Sequence, residues 1–184
     1  MIVRRSFMAL GAAGVVGMAA AACTTEVKTE SNVDTAYGRK LDRLLVSVDL
    51  SYRHSSGLVM AKEATYLKID EVIDSLRTAF SPTGVTTEFV TDQSTLPAAT
   101  ASFRPTQILN ISVSSYSKDM GSPNAFTLTC EIRDAGTQKR IWLSTITFEA
   151  SETAGTRLLR AASKKAADNF ANNLVGRLRQ DRLI

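Results

Sequence analysis

The side chains that could do acid-base, metal or nucleophilic chemistry are scattered along this sequence. His54 is the single histidine of the 184 residues, so a histidine-based metal site or a Ser-His-Asp arrangement would rest on it alone. Glu131 and Glu149 could approach each other across a predicted hairpin, although exposed strand glutamates are the commoner case. No glycine-rich phosphate loop or paired-histidine motif occurs. We therefore expect no catalytic residues, no metal site and no cofactor.

The stretch SYSK at residues 115–118 matches the S-x-x-K pattern of penicillin-recognising enzymes, in which the lysine assists a serine nucleophile at the start of a helix. Here the pattern lies at the end of a predicted strand, before Gly121 and Pro123, and the partner K-T-G element is absent. We interpret the match as coincidental.

The two cysteines, Cys23 and Cys130, have different predicted roles. Cys23 follows an apolar N-terminal run that ends in small residues. Cys130 lies in a predicted strand, where Phe126, Leu128 and Ile132 share its face. A buried, small hydrophobic side chain is therefore favoured at Cys130 over a reactive or dimer-forming thiol.

The first 22 residues are predicted to be an export signal that is removed. Arg4 and Arg5 give a positively charged start, an apolar run follows from Phe7 to Ala22, and Cys23 comes next. The run holds about 16 residues, fewer than the roughly 20 apolar residues that a membrane-spanning helix requires. A permanent transmembrane anchor is the weaker interpretation.

The segment Ala20-Ala21-Ala22-Cys23 resembles the bacterial lipobox, in which small residues precede a cysteine that is lipidated and becomes the first residue of the mature chain. The resemblance implies cleavage between Ala22 and Cys23 and an acylated Cys23 that holds the protein at a membrane. Ala20 stands where the family usually has leucine, and a plain signal peptide cleaved nearby is the alternative. Thr24 stands where aspartate commonly signals inner-membrane retention, so the resemblance favours the outer membrane, facing the periplasm.

The stretch RRSFM at residues 4–8 also resembles the twin-arginine export signature, with an aromatic residue shortly after the arginine pair. Val3 replaces the usual serine or threonine of that signature, and Ala9 stands where lysine is common. Export of the folded protein and ordinary unfolded secretion both stay open. Arg4 and Arg5 belong to the export signal in either case.

The mature chain has the composition of one ordinary globular domain. Apolar residues make up 44% and charged residues 22% of the sequence, which argues against wholesale disorder. About 160 residues follow the leader, enough for a single hydrophobic core. Without Arg4 and Arg5 the 22 basic residues become 20, against 18 acidic ones. Because this excess is small, we expect no nucleic-acid partner.

Residues 23–40 are predicted to be the lipidated cysteine and a flexible tether, since the stretch from Thr24 to Thr35 is polar and lacks periodicity. Residues 41–184 are predicted to form a single α+β domain. Periodicity predicts strands at 44–52, 85–91, 108–116, 126–133 and 139–150, helices at 64–80 and 156–182, and a long loop at 92–105. This order predicts a two-layer sandwich, with an antiparallel or mixed sheet of four to five strands and two helices on one face.

The last predicted helix carries the polar feature most suggestive of a binding surface. At 100° per residue, Arg157, Lys164, Arg179 and Arg182 fall within a narrow arc, with only Asp168 among them. Such a face could contact anionic lipid, lipopolysaccharide phosphate or an acidic partner. A solvated helix face, with cations placed favourably near the helix C-terminus, is the preferred interpretation.

These observations favour a lipid-anchored envelope protein that acts as a non-enzymatic interaction or assembly module. Its expected partners are the membrane, through the anchor, and an envelope protein; the sequence leaves the oligomeric state open. The order of elements is similar to that of small envelope lipoproteins that assist outer-membrane assembly or transport. The alternative is a binding module for a lipid-like or glycan ligand, which needs an apolar cavity of a few hundred Å³ lined by the Trp142 face. An enzyme would need a cleft of polar residues with perturbed pKa values.

Overall fold

In the computed structural model, the described residues are 26–53, 59–61, 65–119, 122–149 and 156–184. The leader and the predicted lipidation site, with Arg4, Arg5, Ala22 and Cys23, lie outside these ranges, and so does His54. The predictions made for these residues therefore stay predictions.

The described residues form seven strands and three α-helices. The strands are β1 (Glu26–Val33), β2 (Arg43–Arg53), β3 (Val59–Ala61), β4 (Thr86–Val90), β5 (Gln107–Asp119), β6 (Ser122–Asp134) and β7 (Arg140–Glu149), and the helices are α1 (Ile69–Phe80), α2 (Leu96–Phe103) and α3 (Thr156–Gln180).

The strands form one mixed sheet in the order β1-β7-β6-β5-β2-β3, with β4 also paired to β2. β4 and β5 run parallel to β2, and the other pairs are antiparallel. Helices α1 and α3 pack in one apolar cluster with the sheet. The α+β class and the mixed sheet are confirmed, and α1 and α3 are the two predicted helices. The predicted four to five strands and two helices are too few because β1, β3 and α2 were not recognised. The predicted two-layer arrangement is incomplete, since α2 lies on the other face of the sheet.

The core lies between helices α1 and α3 and the face of the sheet that they cover. The alternation of apolar residues in the strands and their four-residue spacing in the last helix predict this placement. Trp142, Phe148 and Phe170 are each exposed by 1% or less, and Cys130 is fully buried. Burial raises the pKa of the Cys130 thiol, because a thiolate is costly in apolar surroundings. The interpretation of Cys130 as a buried hydrophobic side chain is confirmed.

Helix α1 begins at Ile69, five residues later than predicted. Thr65 explains the delay, since its hydroxyl accepts a hydrogen bond from the Leu67 amide (3.2 Å) in a local turn that competes with helix. Lys68 then has an extended backbone, with ψ of 133°. The helix ends where Pro82 and Gly84 follow, and Gly84 adopts a φ of 79°, which glycine takes without strain.

The prediction of a flexible tether over 23–40 is wrong for residues 26–33. These residues form β1, an edge strand antiparallel to β7, with Ser31 opposite Ser144 and Val33 opposite Trp142. One polar side chain of the strand joins it to the C-terminal segment: the Ser31 hydroxyl donates to Asp181 (2.6 Å). Its backbone pairs with an otherwise open sheet edge, and this pairing needs little apolar sequence.

The prediction of a long loop over 92–105 is also wrong. Asp92 accepts from the Ser94 amide (2.9 Å) and begins a short 3₁₀ turn that leads into α2. Helix α2 covers the sheet face opposite α1 and α3. Its apolar side packs on a second small cluster, made of Leu45, Val90 and Ile108 with Leu96, Ala99 and Phe103.

Candidate interaction surface

Four segments meet at one end of the sheet, which we name the turn end: residues 34–42 between β1 and β2, residues 104–107 at the start of β5, the β6–β7 turn at 134–141, and the C-terminal residues 177–184. Backbone hydrogen bonds of 2.8 to 2.9 Å join them, from Asp34 to Ile141, from Leu41 to Leu183 and from Ala135 to Thr106. The opposite end of the sheet holds the start of β1 at Glu26, because β1 reaches the turn end at Val33.

Gln107 fixes the 34–42 segment on the sheet. Its side chain is in the core, with the residue only 2% exposed. The amide nitrogen donates to the Tyr37 hydroxyl (2.7 Å), and the amide oxygen accepts from the Thr106 hydroxyl (2.6 Å). Since a buried amide without partners would be costly, these bonds make Tyr37 and its neighbours a defined part of the fold.

The turn end carries many exposed cations and few exposed acids. Among these four segments the structure shows one exposed carboxylate side chain, Asp42. Of the exposed cations, Lys139 alone forms an ion pair with another described residue, with Asp34 at 2.6 Å. The exposed cations are Arg39, Lys40, Arg104, Lys139, Arg140, Arg179 and Arg182.

The partly buried carboxylates at the turn end are already occupied. The Lys139 ammonium and the Ala36 amide hold the pKa of Asp34 below its usual range. Asp134 closes the β6–β7 turn by accepting from the Thr137 amide (2.8 Å), the Thr137 hydroxyl (3.0 Å) and the Gly136 amide (3.1 Å). The hydrogen bond from the Thr137 backbone amide is the main cause of the lowered pKa of Asp134. Both acids therefore serve the fold: Asp34 pairs with Lys139, and the charge of Arg39 also lowers the pKa of Asp134.

A cleft of about 290 Å³ lies between the 34–42 segment and the β6–β7 turn. Its walls combine apolar surface from Tyr37 and Ile141 with charged groups at the rim. The lining residues are Asp34, Ala36, Tyr37, Gly38, Arg39, Asp134, Thr137, Lys139 and Ile141.

The predicted basic face of the last helix does not form one surface. Lys164 makes an ion pair with Asp168, and it lies 15 residues, or about 22 Å along the helix axis, from Arg179. Arg182 follows the end of α3 with a φ of 61°, so it is off the helical arc. The side chain of Arg157 lies outside the described part. Arg179 and Arg182 instead belong to the turn end.

Lys164 belongs to a polar contact between α1 and α3. Its ammonium donates to the Ser75 hydroxyl (3.1 Å), and that hydroxyl donates to Asp168 (2.6 Å). Hydrogen bonds from Lys164 and then Ser75 lower the pKa of Asp168. Nearby, the Ser163 hydroxyl donates to Glu71. Because Ser75 is buried and Lys164 is committed to an ion pair, we assign this group to helix packing.

The remaining candidate residues do not come together. Glu131 lies opposite Leu143 and Glu149 opposite Ala125, so the two glutamates are offset by six positions along β7. The S-x-x-K pattern lies within β5, where no helix begins. In the described ranges, no three His, Cys, Asp or Glu residues are grouped to hold a metal ion, and no helix has the length and hydropathy to cross a membrane.

The lowered carboxylate pKa values predict how stability depends on pH. Because the folded-state pKa of Asp34, Asp134 and Asp168 lies below the ordinary 3.8, their contribution is complete above that value and is lost as pH falls through the folded pKa. Urea midpoints should be level from about pH 7 to 5 and then fall. Asp134→Asn keeps the turn acceptor without titrating, so its midpoint should fall less; a decline equal to wild type would contradict this role of Asp134.

Comparisons with known proteins leave the family open. No family model and no curated protein matches the chain. Among solved structures, it is similar to the PelC dodecamer from Paraburkholderia phytofirmans, at 14% identity and a TM-score of 0.47 over 80% of this chain and 96% of that one. It is also similar to protein XCC0632 from Xanthomonas campestris, of the family model DUF330, at 17% identity and 0.45 over 88% and 97%. At these values the likenesses assign neither a function nor an assembly to this chain.

Proposed function

We propose that this protein is a lipid-anchored envelope protein, exported by residues 1–22 and held by acyl chains on Cys23, that works as a non-enzymatic interaction module at the outer membrane, facing the periplasm. The observation that carries the proposal is the path of β1. This strand begins three residues after Cys23 and ends at the turn end, where the exposed cations lie.

The short connection determines how such an anchor would place the domain. Three extended residues reach at most about 11 Å, so the start of β1 stays close to the lipid-bearing cysteine. The eight residues of β1 then span about 26 Å towards the turn end, at about 3.3 Å each. The basic turn end is therefore carried away from the anchor, where it can meet another envelope component.

The packing around Trp142 does not favour the alternative of a lipid-like or glycan ligand. Trp142 is 1% exposed, and its indole nitrogen donates to Asp181 (2.7 Å). Its strand neighbours on the same face, Ile146 and Phe148, are fully buried. An apolar cavity lined by this face would require repacking of the core, whereas an interaction module requires none.

Intact-mass analysis of the membrane fraction tests the proposal. Wild-type protein should begin at Cys23, carry added acyl mass and sediment with membranes, and Cys23→Ala should lose both the acyl mass and the membrane residence. Cys130→Ala is the matched control, because this cysteine is buried in the core, and it should keep both. A wild-type protein that is soluble, unacylated and cleaved elsewhere would overturn the anchor.

A further inference from the structure

We propose that the turn end binds an acidic segment of a protein partner, whose carboxylates contact the exposed cations of the turn end and one of whose apolar side chains enters the cleft beside Tyr37. This deepens the interaction module proposed above, and it rests on that proposal for the place of the protein in the envelope. The binding chemistry itself rests on the turn end.

The charge of the turn end favours a polyanionic partner. Six of its seven exposed cations form no ion pair with a described residue, and its partly buried acids are held within the fold. Five of the seven are arginines, whose planar guanidinium groups bind carboxylates through two parallel hydrogen bonds. Such a concentration of positive charge also accelerates the encounter with an acidic surface.

The cleft favours a protein over a simple polyanion. Its volume of about 290 Å³ is at the lower limit for small-molecule sites but accommodates a single large side chain. Tyr37 is held in the wall by Gln107, and tyrosine is enriched where protein partners bury side chains. Asp34 and Asp134, the acids of the lining, already have hydrogen-bond partners within the protein. An apolar side chain that enters the cleft would therefore not leave either carboxylate without a partner.

The direction of β1 argues against the anchoring membrane as the occupant. An anchor on Cys23 lies at the Glu26 end of the sheet, and the cations lie at the other end of β1. Lipid headgroups of that membrane would therefore meet the opposite end of the domain first. A partner that reaches out to the turn end fits this placement.

Binding of defined probes to the full-length mature protein, in nanodiscs of neutral phosphatidylcholine, tests the inference. The probes are a fluorescein-labelled peptide of eight glutamates, the same peptide with one central glutamate replaced by leucine, polyphosphate, and phosphatidylglycerol vesicles. The leucine peptide should bind most tightly despite its lower charge. Arg39→Glu, in the lining of the cleft, and Arg140→Glu, elsewhere on the turn end, should each weaken it about tenfold, as expected for reversal of a charge that contacts the peptide.

Lys165→Glu is the matched control, since it makes the same charge change at an exposed position of α3 far from the turn end; it should weaken binding less than about twofold. Ala36→Trp tests the cleft, because Ala36 is an exposed lining residue; it should remove the advantage of the leucine peptide while leaving the all-glutamate peptide unchanged. Circular dichroism verifies that each variant is folded.

Three results would overturn the inference. The first is tighter binding of polyphosphate or phosphatidylglycerol vesicles than of the leucine peptide, which would assign the surface to phosphate groups. The second is a loss in Lys165→Glu equal to that in Arg39→Glu, which would mean binding to net charge alone. The third is no peptide binding at about 1 mM. None of these changes the acyl-mass result, so failure of this inference is distinguishable from failure of the anchor.

Discussion

Phe148→Ala is expected to lower the free energy of unfolding by about 3 to 5 kcal/mol, because it removes a fully buried ring and leaves a cavity. Phe148 stacks on Phe126, with ring centroids 4.8 Å apart, and lies 6.2 Å from the ring of Phe170 on α3. The cavity would thus open between the sheet and the helix that covers it. Urea denaturation at neutral pH measures the loss.

Two variants make the prediction specific. Phe148→Leu keeps most of the buried volume and should cost less than half as much. Phe103→Ala removes a ring that is only partly buried, at the end of α2, where its centroid lies 4.6 Å from the Arg43 guanidinium, and it should also cost less. If Phe148→Ala cost no more than Phe103→Ala, the aromatic contacts between strand and helix would not hold the core together.

Periodicity predicted the elements that bury an apolar face. In β2 the alternation of Leu44, Val46 and Val48 has a physical cause, since every second side chain points to the helix-covered face. In α3 the spacing of Phe170 and Leu174 has the same cause at the helical period. Burial can be recognised as a hydrophobic period in the sequence wherever an element buries a continuous apolar stripe.

The elements that periodicity missed do not need such a stripe. The edge strand β1 is stabilised by backbone pairing with β7 and by the hydroxyl of Ser31, and its polar composition is that of a tether. Helix α2 is eight residues long and contains three alanines, and its contact with Leu45 exists because the chain folds back over the sheet. Neither the pairing of β1 nor the packing of α2 can be recognised from the local sequence alone.

The turn end was missed for a topological reason. Arg39 and Lys40 stand together in the sequence, as do Lys139 and Arg140, and each pair alone is typical of a solvated loop. Only the pairing of β1 with β7 and the bonds from Asp34 bring the two pairs to one end of the sheet. The helical arc predicted from the sequence contained Arg179 and Arg182, which both lie at the turn end, but grouped them with Lys164, about 22 Å from Arg179 along the helix axis.

Asp181→Ala is expected to lower the free energy of unfolding by about 2 to 4 kcal/mol, since it removes one acceptor shared by several buried or partly buried donors. The carboxylate accepts from the Trp142 indole (2.7 Å) and the Ser31 hydroxyl (2.6 Å), and it lies 3.5 Å from the Arg177 guanidinium. Without it, the indole donor stays buried without a partner, and β1 keeps only the hydrogen bond from Arg177 to Ser31 (2.6 Å) as a side-chain link to the C-terminal segment. Urea denaturation again measures the loss.

Asp181→Asn and Asp168→Ala separate the causes. Asp181→Asn keeps an oxygen acceptor but loses the charge, so its free energy of unfolding should lie between those of the wild type and Asp181→Ala. Asp168→Ala removes a carboxylate within α3 whose side chain is 45% exposed, and it should cost less than about 1 kcal/mol. Because Asp181 holds the segment that carries Arg179 and Arg182, Asp181→Ala should also weaken acidic-peptide binding at the turn end, while Asp168→Ala should not. Equal costs for the two alanine variants would show that Asp181 is no more than a surface charge.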